Sequence, residues 1–308
     1  MIEYELVRHD RLKGIRLFVN TIRIRSAHMH HDLELLYVLK GNGDVLIRSQ
    51  SFSLCAEDMI LINAYESHEI ISSQQDFTLI IIQFSPHFLQ DYCPLRYLIF
   101  PAGNVRNMAS EEEYGEMQQL VIASAASYLS GDMYSGLGTL SALSRLLHLI
   151  MKCTRPQEIS EAEYSRRRKN EHRLKQISDY IELNYQNQIR LSDLAEKEGI
   201  TVTHLSHLIR EHFGISFQEY VRNKRLEHAV RMIHGSYTLS EISDFCGFSE
   251  LKYMTRAFQD AFHMTPQEYR NITGGGQKYV PEGSTEYIWP DDDALHMLES
   301  ITREKDVL

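Results

Sequence analysis

Little in this 308-residue sequence points outside the cell or into a membrane. Its four cysteines, Cys55, Cys93, Cys153 and Cys246, are scattered with no CxxC pair. That argues against a disulfide scaffold or a zinc finger and fits a reducing compartment. No run of 18 apolar residues exists, so no spanning helix is expected. The opening Met1-Ile-Glu-Tyr-Glu-Leu6 lacks a basic segment followed by an apolar one; a signal peptide is not expected, and a cytoplasmic location is. A basic surplus is missing too: 32 Lys and Arg face 42 Asp and Glu, a net charge of −10. Such a balance weakens long-range attraction to nucleic acid but leaves room for a local basic patch. The 43% hydrophobic content is enough for two ordinary domains.

What is present is a degenerate repeat. Leu191-Ser-Asp-Leu-Ala-Glu-Lys-Glu-Gly-Ile200 returns as Leu239-Ser-Glu-Ile-Ser-Asp-Phe-Cys-Gly-Phe248, and Phe213-Gly-Ile-Ser-Phe-Gln-Glu-Tyr220 as Phe262-His-Met-Thr-Pro-Gln-Glu-Tyr269. A unit of about 48 residues is too short for an enzyme domain but suits a helix-turn-helix with a supporting helix. Two such units suit adjacent turns of one DNA duplex.

The N-terminal half reads as strands. Ile15–Val19, Glu34–Leu39, Asp44–Arg48, Met59–Ile62 and Phe77–Phe84 are rich in sheet-forming residues, and Gly41-Asn-Gly43 is a hairpin signal. Closely spaced strands without helical periodicity predict a barrel or jelly roll. Within them, His28-x-His30-x3-Glu34-x6-Gly41 resembles the first cupin motif without its leading glycine. Glu57 to His68 resembles the second without its usual proline and glycine. His28 and His30 would share a strand face, and Glu34 and His68 could complete an N/N/O/N set for Mn, Fe, Ni or Zn. The same side chains, with Tyr37 and Asn63, could instead line a metal-free ligand pocket, the favoured reading, or serve structure alone. Residues 111–153 turn to helical spacing in two stretches: Met117, Leu120, Val121, Ala125, Tyr128 and Leu129, then Leu137, Leu140, Leu143, Leu146, Leu147 and Ile150. These predict two amphipathic helices that pair subunits or cover their own barrel. Pro156 to Lys169 lacks periodicity and carries Arg166-Arg-Arg-Lys169; it reads as a linker.

In the C-terminal half, His172 to Tyr185 suits a helix with Leu174, Ile177, Ile181 and Leu183 inward. Ser192 and Ser240 are candidate caps, as is Thr201 or Thr203, and Gly199 and Gly247 permit sharp turns. The stretch from about 172 to 270 resembles the DNA-binding module of the AraC/XylS family. The resemblance rests on Leu191-x2-Leu194-Ala195, Leu205-Ser206, Gly214-x-Ser216-Phe217-x-Glu219-Tyr220 and Arg225-Leu226-x2-Ala229. Its second half rests on Ile242-x4-Gly247-Phe248-Ser249, Phe258 and Phe262-x2-Thr265-Pro266-x-Glu268-Tyr269-Arg270.

Positions off the packed face of the two reading helices are the candidate base contacts: Thr203, Ser206, His207 and Arg210 on the first, Leu251, Lys252, Thr255 and Arg256 on the second. The resemblance directs Arg256 into the groove and puts His207 where arginine is more frequent. Lys197, Arg222, Lys224 and Arg225 are candidate phosphate contacts.

The expected organisation is α+β and multidomain. A cupin-like barrel over 1–105 is followed by a helical region over 106–155, a basic linker over 156–170 and an all-α tandem helix-turn-helix module over 171–270. The acidic tail over 271–308 carries eight carboxylates against three basic residues and the only tryptophan. Disorder is the default for 271–284; the aromatic segment could dock on the barrel or on another subunit, and the acidity could mask the DNA-facing surface. The resemblance implies a homodimeric, non-enzymatic activator that binds double-stranded DNA and answers to a sugar or oligosaccharide. The alternatives are a metal-dependent isomerase or dioxygenase fused to a DNA-binding module, and an interaction protein that never meets DNA.

Overall fold

The computed structural model describes residues 3–5, 7, 9, 11–48, 50–72, 77–262, 264–273 and 285–305. They form two compact units: Glu5–Arg167 together with Ser284–Leu308, and Arg168–Gly283 together with Met1–Tyr4. After a two-residue strand β1 (Glu3–Tyr4) come β2 (Ile15–Met29), β3 (Leu33–Lys40), β4 (Asn42–Ile47), β5 (Gln50–Cys55), β6 (Met59–Ile62), β7 (His68–Ile71), β8 (Thr78–Phe84) and β9 (Leu98–Ile99). Two helices follow, α1 (Glu111–Ser130) and α2 (Ser135–Thr154), then β10 (Gln157–Glu158), which pairs with β9.

β2 is the spine of the barrel. Its first half pairs with β8, from Ile15 opposite Phe84 to Thr21 opposite Thr78. Its second half pairs with β7, where His28 lies opposite His68. β8 leads on to β3 and β6, and β7 to β4 and β5, all antiparallel, so the sheet rolls into a nearly closed barrel. Side chains alternate between its faces. Leu36, Val38, Ile60, Ile62, Leu79 and Ile81 fill the lumen. Leu35, Tyr37, Met59, Leu61, Ile80 and Ile82 face the other way, onto α1 and α2. Burial on both faces explains why β3, β6 and β8 read as continuous apolar runs.

The helix pair forms as its pattern predicts. Ser110 and Glu113 make a reciprocal capping box for α1. Met117, Val121 and Ala125 of α1 and Leu143, Leu146 and Ile150 of α2 pack on the barrel of the same chain, while Leu137 is 74% exposed.

Gly41-Asn-Gly43 is not a hairpin turn: β3 and β4 are not partners, and the chain crosses from one side of the barrel to the other there. Gly43 is needed for space instead, since a Cβ would stand 2.7 Å from the Phe77 ring. The hairpin is β4–β5, closed beyond Ile47 opposite Gln50. β5 and β7 were not expected; Gln-Ser-Phe-Ser-Leu-Cys is largely exposed, and β7 is only four residues long.

The second unit holds α3 (Glu161–Asn184, shared with the first), α4 (Leu191–Lys197), α5 (Val202–Phe213), α6 (Phe217–Met232), α7 (Leu239–Phe245), α8 (Leu251–Phe262) and α9 (Pro266–Thr273). α3 begins at Glu161, so the basic run expected as a linker is helical. It lacks an apolar stripe and is supported by pairs such as Arg167–Glu163 at 3.1 Å, one turn apart. Leu183 is exposed rather than inward. Thr201 caps α5, and Thr238 rather than Ser240 caps α7 in a box with Glu241; α4 has no side-chain cap, Ser192 bonding Asp193 instead.

The tail returns to the barrel unit. β11 (Thr285–Ile288) pairs with β2, Tyr287 opposite Thr21, and α10 (Asp291–Lys305) buries Ala294 and Leu298 in the barrel–helix core. The expected disorder of 271–284 mostly falls outside the described residues; 271–273 complete α9.

Candidate functional site

One end of the barrel lumen is polar. Glu34 has the parity of Leu36 and Val38, and Gln83 that of Ile81, so the pleat turns both inward. Gln83 Nε2 donates to Glu34 Oε2 at 2.7 Å, and His30 Nε2 lies 3.0 Å from the same oxygen. His68 Nε2 stands 3.2 Å from Glu34 Oε1, and the His28 and His68 rings are 4.1 Å apart. Each of the three imidazoles has Nδ1 against a backbone carbonyl: Ser26 for His28, Asp32 for His30 and Glu66 for His68. That fixes the rings and turns their Nε2 atoms toward one another.

Charge is divided unevenly among them. Burial, reinforced by His68 and Arg25, holds His28 well below its ordinary pKa, so it is neutral. Burial also works against a charged His30, but the Glu34 carboxylate outweighs it and raises the pKa. Glu34 is buried as well, yet His30 holds its pKa well down. His30 and Glu34 are therefore a buried ion pair. The three imidazole nitrogens lie within 4.8 Å of one another. With Glu34 beside them, the donor set fits a first-row divalent ion.

A cavity of about 180 Å³ opens beside this cluster, with Phe18, Ile22, Ile70 and Ile81 on its apolar side and Arg16, Asn20, Arg25, Glu5 and Glu286 on its polar side. The expected pocket residues His28 and Glu34 line it, with His30 and His68 packed behind. Tyr37 and Asn63 do not. Tyr37 is three residues from Glu34, on the opposite strand face, and belongs to the core under α1. Asn63 braces the Phe100 backbone with its amide, accepting at 2.8 Å and donating at 2.9 Å. Missed entirely were Arg16, Asn20, Arg25, Gln83 and Glu286. Gln83 left a signal, a polar residue inside the apolar run 77–84.

In the helical unit, Gly199 and Gly247 take φ of +64° and +76° at the turns before α5 and α8. Leu205, Leu208 and Ile209 bury one face of α5; Met254, Ala257 and Phe258 bury one face of α8. Thr203, Ser206, His207, Arg210, Leu251, Lys252 and Arg256 are exposed and Thr255 half-buried. A groove of about 380 Å³ runs past Arg222, Arg225, Ser249, Tyr253 and Arg256. Lys252 pairs with Glu250 at 2.8 Å and lies over the Tyr253 ring.

The phosphate candidates separate. Lys197 is exposed, and Arg222 reaches Asp260 at 3.0 Å on the surface. Lys224 is buried between Glu182 at 2.9 Å and Glu227 at 3.3 Å, which takes it away from phosphate. Arg225 donates to the Tyr185 and Asn187 carbonyls, each at 2.8 Å, and so holds the loop before α4. Arg270 does the same for the second half, donating to Ile233 and Tyr237 carbonyls at 2.7 and 2.9 Å.

Comparison with known proteins divides the chain in the same way. The profile of an AraC-like ligand binding domain matches residues 20–164, and that of a helix-turn-helix domain residues 194–272. An uncharacterized HTH-type transcriptional regulator of Staphylococcus aureus is 24% identical over 273 residues, covering 87% of this chain and 35% of its own. The chain thus spans about a third of that relative's length. The HTH-type transcriptional activator RhaR of Yersinia pseudotuberculosis is 23% identical over 248 residues, 79% of this chain and 83% of its own. Among solved structures, ToxT of Vibrio cholerae aligns over 85% of this chain and 99% of its own with 14% identity and a TM-score of 0.41.

Proposed function

Because this chain joins an AraC-like ligand-binding domain to a helix-turn-helix domain, and so belongs with the AraC-type transcriptional regulators, we propose that it is a sequence-specific DNA-binding regulator governed by a small molecule held in the barrel. The observation that carries the proposal is the paired arrangement of α5 and α8. Each follows a left-handed glycine turn, buries one apolar face and leaves a polar face free. Arg256 and Lys252 would read base edges from α8, and Arg210, Ser206, Thr203 and His207 from α5, with Thr255 and Leu251 at thymine methyls. Lys197 and Arg222 would meet phosphates.

The effector reading follows from the cavity. A cavity of about 150 Å³ takes one benzene-sized ring, so 180 Å³ suits a monosaccharide-sized molecule rather than an oligosaccharide. The amide, guanidinium and carboxylate groups around it suit a polar one. Binding regulates DNA affinity only if the effector favours one arrangement of the protein over another. Activation is supported by the relative named an activator. A homodimer in the cytoplasm completes the proposal. Among the described residues no helix is long and apolar enough to cross a membrane.

Should the barrel take a metal, His28, His30, His68 and Glu34 would hold it, and it would supply a Lewis-acidic point for effector oxygens. The proposal keeps the barrel non-catalytic: the relatives it matches are named as regulators. The test is selection from a random duplex pool with the full chain at low salt. The expected result is an enriched site with two contacted segments about 10 base pairs apart; no enriched sequence would refute it.

A further inference from the structure

Glu286 reaches the cavity from the C-terminal tail, and both of its carboxylate oxygens are taken. One forms an ion pair with Arg25 Nη1; the other accepts from Asn20 Nδ2 at 2.6 Å. A guanidinium and an amide donor held on one strand and converging on a single carboxylate make a two-point anion site. Asn20 is only 1% exposed, and its Oδ1 is buried without a hydrogen-bond partner. The second Arg25 nitrogen donates to Glu5 at 2.8 Å, and Arg16 donates to the other Glu5 oxygen at 2.7 Å. Arg16 and Arg25 thus share Glu5, and Glu286 is a second carboxylate on Arg25. Replacing Glu286 by another carboxylate keeps the charge on this rim, and a neutral molecule would not.

The tail that delivers this charge is fastened unequally. α10 is anchored by Ala294 and Leu298 in the core, and Trp289 Nε1 donates to Thr21 Oγ1 at 2.8 Å. β11 is a four-residue edge strand whose register shifts between Thr285 and Glu286, and its Tyr287 and Ile288 are about half exposed. The part holding Glu286 can leave while the helix behind it stays.

We propose that Arg25 and Asn20 are the carboxylate subsite of the effector pocket, and that Glu286 fills this subsite until a small carboxylate-bearing molecule replaces it. The proposal rests on the reading of the barrel as a small-molecule sensor and names the class of molecule sensed. The exchange is one carboxylate for another, so the part-buried Arg25 keeps a carboxylate on each of its terminal nitrogens. It also ties effector binding to the segment that follows the DNA-binding helices in the chain.

Acetate is the minimal probe. In the full chain carrying Glu286→Ala, sodium acetate should raise the unfolding midpoint by about 2–4 °C over sodium chloride of equal ionic strength. Acetamide should not, and Arg25→Gln added to Glu286→Ala should abolish the gain. In the unaltered chain the gain should be smaller, because Glu286 competes. If Glu286→Ala does not fold, as judged by the emission of Trp289, the chain's only tryptophan, Glu286→Gln is read in the same way. Acetate no better than chloride, or a gain that survives loss of Arg25, overturns the proposal. No DNA enters the measurement, so this failure would leave the duplex selection, and the regulator reading, standing.

Discussion

Gly247 and Gln186 meet backbone to backbone: a Cβ on Gly247 would lie 2.5 Å from the Gln186 carbonyl oxygen. The turn between α7 and α8 therefore sits directly on the loop that follows α3, and the glycine is required twice, for its φ of +76° and for its missing side chain. Gly199 holds the matching turn of the first half at φ +64° with nothing within 4 Å of the same position. Gly199→Ala should cost only the left-handed conformation, about 1 kcal/mol. Gly247→Ala should cost about 3 kcal/mol or more, because backbone must also move. Urea unfolding of the two variants checks the ranking; equal losses would mean that the Gln186 contact yields freely.

That contrast marks how far the sequence can be read. Gly199 and Gly247 are equivalent letters in the repeat, and both turns, the helices α5 and α8 and their buried faces are legible from the repeat alone. The contact with Gln186 is between segments sixty residues apart and leaves no local pattern. The pocket divides likewise. The period of a strand puts His28 and His30 on one side, and Glu34 and His68 join them only through the resemblance to the cupin motifs. The same period turns Tyr37 to the opposite face from Glu34, and the Asn63 amide pairs with the Phe100 backbone, a contact between distant segments. Glu286 could not be assigned to the pocket from sequence, since it lies 261 residues from Arg25 and arrives through a pairing of β11 with β2 that only the fold shows.

Arg256 and Lys197 are expected to separate specificity from affinity. Arg256 projects from the exposed face of α8 beside the groove. Arg256→Ala should weaken the selected site by about 1–3 kcal/mol and relax preference at the bases it faces. Lys197→Ala should weaken all sequences alike and reduce the salt slope by about one. Lys224→Ala should leave the salt slope unchanged while lowering stability, because its ammonium is buried between two carboxylates. Fluorescence anisotropy with the selected and a scrambled duplex at several salt concentrations gives the binding readings, and urea unfolding gives the stability of Lys224→Ala.

Glu182 supplies a pH dependence to the helical unit. Burial raises its pKa, but Lys224 and His228 outweigh burial and the net shift is downward. A carboxylate with a lowered folded pKa stays charged to lower pH than it does in the unfolded chain, so the unfolded state takes up its proton first. Its contribution is complete above the ordinary glutamate range and fades as pH falls through that range to the lowered folded value. Glu182→Gln should therefore be less stable than the unaltered chain at pH 7, with the difference narrowing toward pH 3. A difference that does not change with pH would mean that the Lys224 pairing contributes nothing to stability.

The His30–Glu34 pair bears on the metal question. Gln83 donates to Glu34 and the Asp32 carbonyl accepts from His30 Nδ1, so this pair is charge-balanced and hydrogen-bonded without any further ion. Removing one partner should leave the other buried and uncompensated: Glu34→Gln is expected to lose about 3–5 kcal/mol of barrel stability. Dialysis of the full chain against EDTA should then leave the unfolding midpoint where it was, since this pair needs no ion, although His68 Nε2 is buried without a hydrogen-bond partner. A midpoint that falls on chelation, returns with one equivalent of a first-row metal, and no longer responds in His28→Ala or His68→Ala would make the cluster a metal centre. It would also turn the weight toward metal-dependent chemistry in the barrel.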